Sequence, residues 1–169
     1  EGGTGSRLAD ALSAGGSRPV IVTRGESFSA DGPGRFRVRP GSREDAQRVF
    51  QAISPIERSG GIRAIVYLWA LDTAGLDEAD GPAVQEALAD ACMGVVGALQ
   101  EIMADEPEPA PRLWIVTRGA AAGTGLVTRR PAVEQAPLWG LGRVTMNEFP
   151  SVRCTLVDVD DADTAGADA

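Results

Sequence analysis

The chain has 169 residues, 43% of them hydrophobic and 24% charged, the size and balance of one globular domain around a single buried core. Its formal net charge is −8 and no basic stripe runs through it, which argues against a nucleic-acid surface and leaves the acidity to serve solubility. There is no His and no Lys, so all 16 basic residues are Arg, and Tyr67 is the one Tyr; His or Lys general bases, a Lys Schiff base and His-dependent nucleophiles are excluded.

In chain order, "GGTGSRLADALSAGG" (Gly2–Gly16) reads as a glycine-rich turn entering an amphipathic helix. Ser6 is its predicted cap, Leu8, Ala11 and Leu12 its apolar side, and Gly15-Gly16 its end. "RPVIVTR" (Arg18–Arg24) reads as a buried strand, and the breaker-rich 25–34 as a loop. "RFRVRP" alternates Phe36 and Val38 with Arg35, Arg37 and Arg39, a strand with one wet face. Ser42 caps a predicted helix to about Ser54, with Ala46, Val49, Phe50 and Ile53 on one face. "IRAIVYLWALD" (Ile62–Asp72) is nearly continuous apolar and reads as a central strand covered on both faces. Pro82 opens a long helix to about Asp105, stopped by "EPEPAP". "RLWIVTRGA" (Arg112–Ala120) is the next buried strand, a helix runs from Pro137 to about Glu148, and "VRCTLVDVD" (Val152–Asp160) is the last strand.

Strands alternating with helices predict an α/β fold with a parallel sheet and helices on both faces, because parallel strands need crossover connections. The order is Rossmann-like but truncated: a Rossmann glycine loop follows the first strand, and here the glycines begin at Gly2 with no strand before them. A sheet lacking that central strand should carry a gap at its core, and the expectation is a chain cut from a longer polypeptide. The fold unit is assigned to 1–160, with 161–169 an acidic tail or the start of a linker or next helix. The longest uncharged apolar run, Ala64–Leu71, is far short of a membrane span, and no signal peptide is expected.

The chemistry-bearing candidates weaken on inspection. Gly3-Thr4-Gly5-Ser6-Arg7-Leu8 departs from G-x-G-x-x-G at the third glycine, where Leu8 would hold the helix off the pyrophosphate. A plain tight turn is the favoured reading, against cofactor binding or anion binding at the helix N-terminus. Thr117 lies toward the end of the strand Arg112–Ala120, where a reductase would carry a carbonyl-holding Ser, but the sequence offers it no partners; Tyr67 lies inside a buried strand. "DVDDADTAG" from Asp158 fails the EF-hand pattern at Ala162, Asp163 and Ala169, and reads as a strand end and a solvated acidic stretch. Cys92 and Cys154 lack CxxC spacing and read as buried reduced thiols. Trp69, Trp114 and Trp139 fall on apolar elements and read as packing rather than ligand stacking. No residue is assigned a catalytic, cofactor-binding or metal-ligating role.

Five segments then occur in a specific order: "VYLWALD" (Val66–Asp72), "RLWIVTRGA" (Arg112–Ala120), "QAPLWGLGRV" (Gln135–Val144), "NEFP" (Asn147–Pro150) and "RCTLVDVD" (Arg153–Asp160). Together they closely resemble the structural subdomain of ketoreductase domains in modular polyketide synthases, over Gly2–Asp160. The resemblance implies a truncated, short-chain-reductase-like Rossmann unit without cofactor or active site. It would stabilise a separate catalytic subdomain that uses NADPH to reduce a β-keto thioester on acyl carrier protein. It also implies neighbouring enoylreductase or dehydratase domains and a cytoplasmic location. Gln135–Leu138 matches the Gln-x-x-Tyr helix of active relatives, with Leu138 in the Tyr place. Gly140 and Gly142 are then expected to let this helix approach a neighbour, and Arg143 to reach the Trp139 ring or the turn at Glu148 and so fix the helix rather than meet substrate. Alternatives are a pseudo-ketoreductase scaffold in a non-reducing module and a free-standing nucleotide-binding module using Gly2–Ser6.

Overall fold

The computed structural model describes residues 3–53, 61–72, 81–105, 109–121 and 132–159. Its elements are α1 (Thr4–Ala14), β1 (Ile21–Arg24), β2 (Ser29–Ala30), β3 (Arg35–Val38), α2 (Arg43–Ala52), β4 (Ala64–Tyr67), α3 (Gly81–Asp105), β5 (Arg112–Arg118), α4 (Ala136–Glu148) and β6 (Thr155–Val159). Short 3₁₀ turns follow β4 (Trp69–Asp72) and α4 (Pro150–Val152). The expected tail 161–169 lies outside the described residues.

Among the described residues the strands form two three-stranded sheets, β1-β3-β2 and β4-β5-β6. β1 runs parallel to β3, and β5 runs parallel to both β4 and β6, as crossover connections require. β2, inside the predicted loop, adds an antiparallel pair to β3 through Ser29 and Ala30. The single sheet expected from the sequence is therefore divided, and the division falls between β1 and β4, where a Rossmann sheet has its central first strand.

Two cores match the two sheets. The larger joins Tyr67, Ala91, Val95, Leu99, Ile102, Leu113, Ile115, Leu138 and Val152 across β4, β5, α3 and α4. The smaller joins Phe36 and Val38 of β3 to Val49 and Ile53 of α2. Phe36 and Val38 are buried while Arg35 and Arg37 are exposed, so the period-two reading of β3 holds. Trp69 packs against both cores and links them.

α2 begins where expected: the Ser42 hydroxyl accepts from the Asp45 N–H at 3.2 Å. α1 differs. Its N-cap is Gly3, with no side-chain cap, and Thr4 is already helical, so Ser6 lies within the first turn. Its end is as predicted, at Gly15, with Gly16 at φ +80° in the left-handed region. The apolar run Ile62–Asp72 yields only four residues of strand; the chain turns at Trp69, which is half-buried in the 3₁₀ turn rather than part of a strand. Over Gln85–Ala104, α3 is long and apolar enough to cross a membrane by length and composition. Glu86, Asp90 and Glu101 interrupt it, so it holds no long uncharged run. Its residues Ala91, Val95, Leu99 and Ile102 are buried in the larger core, as in a core helix.

Candidate functional site

In open α/β sheets the functional end lies beyond the carboxyl ends of the strands. Here that end gathers Thr117 on β5, Asp158 on β6, and Gln135 and Trp139 at the start of α4. β5 and β6 pair in register with Thr117 opposite Asp158. The Thr117 hydroxyl donates to the Asp158 carboxylate at 2.7 Å, with the Val157 carbonyl at 3.3 Å. A hydroxyl has one proton, and the shorter, charge-assisted bond takes it. The same hydroxyl oxygen accepts the Trp139 indole N–H at 3.0 Å. The turn after β5 closes over the carboxylate: Ala120 and Ala121 donate their N–H groups to it at 3.0 and 2.9 Å. Gly119 makes that turn at φ +68°, a conformation a side chain would oppose.

Thr117 is fully buried, donates to Asp158 and accepts from Trp139, which corrects the expectation that it lacks partners. The signal was divided among segments some 20 and 40 residues away, as the sequence separations of these bonds show. Asp158 serves as an anchor for backbone N–H groups on a strand. Among the described residues, no group of three or more His, Cys, Asp or Glu side chains could hold a metal ion.

Gln135 precedes α4 and its carboxamide oxygen accepts the Arg118 N–H at 2.9 Å, so the helix start is fastened to the end of β5. Leu138 is fully buried in the larger core. Arg143 sits 6.0 Å above the Trp139 ring, the contact expected from their i,i+4 spacing. A Cβ at Gly142 would lie 2.5 Å from a Leu156 methyl, so the close approach expected there is real. A Cβ at Gly140 would meet nothing within 4 Å among the described residues.

The other candidates lie apart from this end. Tyr67 is buried, donates to the Ala91 carbonyl at 2.8 Å, and burial pushes its phenol above the ordinary tyrosine range. Cys92 is half-buried and Cys154 buried; neither forms a disulfide, and burial raises both thiols. Trp114 is half-buried on β5. In "GGTG", Gly3 is extended and Thr4 and Gly5 belong to α1, with the Gly3 carbonyl accepting from the Ser6 and Arg7 N–H groups. Leu8 is half-buried on that helix.

Residues 42–169 match the family described as the Rossmann fold domain of the polyketide synthase extender module SpnB. The chain belongs to that family. This polyketide synthase Rossmann domain is of ketoreductase type. Its fold is similar to solved structures that include the following three. The multidomain structure of a keto acid-selecting NRPS module, containing adenylation, ketoreductase and pseudo Asub domains, matches with TM-score 0.75 at 21% identity, over 92% of this chain and 13% of that one. An N-terminal ketoreductase from the macrolactin assembly line matches with TM-score 0.65 at 21% identity, over 95% of this chain and 31% of that one. The first ketoreductase of the tylosin PKS matches with TM-score 0.54 at 26% identity, over 78% and 25%. Among curated proteins, 5-methyl-1-naphthoate synthase of Streptomyces sahachiroi is 34% identical over 80 residues, 47% of this chain and 4% of that protein. The chain thus spans less than a third of the length of each of these relatives.

Proposed function

We propose that this Rossmann domain is the structural, non-catalytic subdomain of a polyketide synthase ketoreductase. It braces a separate catalytic subdomain that reduces an acyl-carrier-bound β-keto thioester with NADPH, in the cytoplasm and beside the module's other domains.

The observation that carries this reading is the filled end of β5. Where a reductase would present a hydroxyl to substrate, Thr117 spends its proton on Asp158 and its lone pair on Trp139. Leu138 stands in the core at the place the family resemblance gives to Tyr. The glycine segment also fits a dinucleotide poorly: Thr4 and Gly5 are helical and Leu8 replaces the close-packing glycine, so no step is derived through a cofactor on this chain. Val133, Val144 and Met146, in and just before α4, are 52%, 54% and 39% exposed, apolar surface suited to a neighbouring subdomain.

The test is to titrate the chain with NADPH by fluorescence and to assay β-keto thioester reduction with and without a catalytic ketoreductase subdomain. The expected result is no binding and no hydride transfer by the chain alone, and a raised melting temperature for the mixture. Hydride transfer by this chain alone overturns the proposal. A mixture that is stabilised yet inactive would favour the pseudo-ketoreductase scaffold.

A further inference from the structure

The arginines of the chain fall into two groups. Arg24, Arg37, Arg39, Arg43 and Arg48 each reach a carboxylate, at 3.2, 2.9, 2.7, 3.8 and 2.7 Å. The arginines at the amino ends of β4, β5 and β6 do not. Arg63 immediately precedes β4, Arg112 opens β5, and Arg153 stands shortly before β6. All three are exposed, and none makes an ion pair among the described residues.

Strand pairing sets the three in a row. The Arg112 N–H donates to the Arg63 carbonyl at 3.0 Å. On the other side Trp114 pairs with Thr155 in parallel, so the same step back along both strands brings Arg153 level with Arg112. Neighbouring strands lie about 4.8 Å apart, so the three backbones fall within roughly 10 Å. Like charges at this spacing repel unless an anion lies among them. The chain has 24 acidic residues against 16 basic ones, yet no described carboxylate pairs with this row. Arg153 is also the one non-glycine residue in the left-handed region among the described residues, at φ +49°. Glycine is the cheaper residue in that conformation, so this arginine is held at a backbone cost.

We propose that the row of Arg63, Arg112 and Arg153 is a docking site for a carboxylate-rich segment of a partner protein. Charge complementarity selects this occupant. Guanidinium groups meet carboxylates through two parallel N–H···O bonds, and a short run of Asp and Glu can offer one carboxylate to each arginine. The net charge of −8 and the shortness of the row disfavour a nucleic acid, whose phosphates call for a longer basic track. Single exposed ion pairs contribute little, so the site acts through several carboxylates at once and orients a partner more than it holds one. The site is independent of where reduction takes place.

The test follows the fluorescence anisotropy of a labelled peptide of Asp and Glu residues titrated with the full chain at low salt, beside an Asn/Gln peptide of equal length. The acidic peptide is expected to bind, the neutral one not to bind, and added salt to weaken the complex. The triple variant Arg63→Gln/Arg112→Gln/Arg153→Gln should lose affinity on the order of tenfold. Arg7→Gln/Arg18→Gln/Arg35→Gln removes the same charge from exposed arginines elsewhere and should lose much less. Arg153→Gly should weaken binding with no fall in Tm, an outcome that a merely structural arginine would not give; it carries the test where the triple variant does not fold. The proposal is overturned if the acidic peptide does not bind, if both triple variants weaken it equally, or if Arg153→Gly binds like the unsubstituted chain. It is also overturned if an oligonucleotide of the same charge binds more tightly than the peptide.

Discussion

The two sheets are built on different physical terms. The β4-β5-β6 sheet has its middle strand, β5, hydrogen-bonded on both sides, and Leu113 and Ile115 on that strand are fully buried. The β1-β3-β2 sheet has a core of four buried residues, exposed charge pairs (Arg37 with Asp31 at 2.9 Å, Arg48 with Glu44 at 2.7 Å), and one pair, Arg39 with Asp45 at 2.7 Å, whose carboxylate is buried. Burial of apolar area stabilises a fold by kilocalories per side chain, whereas exposed ion pairs contribute little. The lesson is that the β4–β6 half carries the domain, and the β1–β3 half depends on what bridges the gap: Trp69, Ile62 and Arg24–Asp72.

The strongest way to break this contrast is Ile115→Ala. The site is fully buried on the middle strand, so the loss should be roughly 2–5 kcal/mol by urea denaturation. A loss under about 1 kcal/mol would mean the larger core does not dominate. Next come the two glycines of α4. Gly142→Ala drives a methyl into Leu156 and should cost about 1–3 kcal/mol. Gly140→Ala meets open space inside a helix and should gain up to about 1 kcal/mol. Opposite signs in thermal melts are the expected outcome, and equal signs would show that α4 does not sit against β6 as described.

Thr117→Val sharpens the comparison at the strand ends. It leaves the Trp139 N–H unpaired and removes a donor from Asp158, at about 1–3 kcal/mol. Trp139 fluorescence should shift, while NADPH titration should remain flat. The smallest effect is confined to the β1–β3 half. The Arg39 guanidinium holds the Asp45 carboxyl down to about 2, helped by the Arg39 N–H and the Ser42 hydroxyl. An unfolded Asp titrates near about 3.9, so this contribution is full above that pH and is lost as pH falls from about 4 toward 2. Urea midpoints measured across that window should slope less in Asp45→Asn than in the unsubstituted chain; parallel slopes would remove Asp45 from the account.

Much of the architecture was legible because periodicity reports burial. β3 alternates, α3 repeats its apolar residues every three or four positions, and Ser42 and Gly15 punctuate their helices by local backbone chemistry. Local reasoning failed where a partner from elsewhere decides the outcome. Ser6 is a good cap by type, yet the helix starts earlier at Gly3. Trp69 sits in an apolar run, yet leaves the strand to reach Val22 and both cores. β2 has only two residues and exists because β3 offers it an edge.

The sequence by itself determined the alternation of strands and helices, the absence of His and Lys chemistry, and the departures of Leu8 and Leu138 from reductase patterns, since each is written in residue type or spacing. Only the tertiary structure decided where the interruption falls and what fills the strand ends. Thr117, Trp139 and Asp158 are far apart in the chain, and their hydrogen bonds become favourable only once β5 and β6 lie in register with α4 across them.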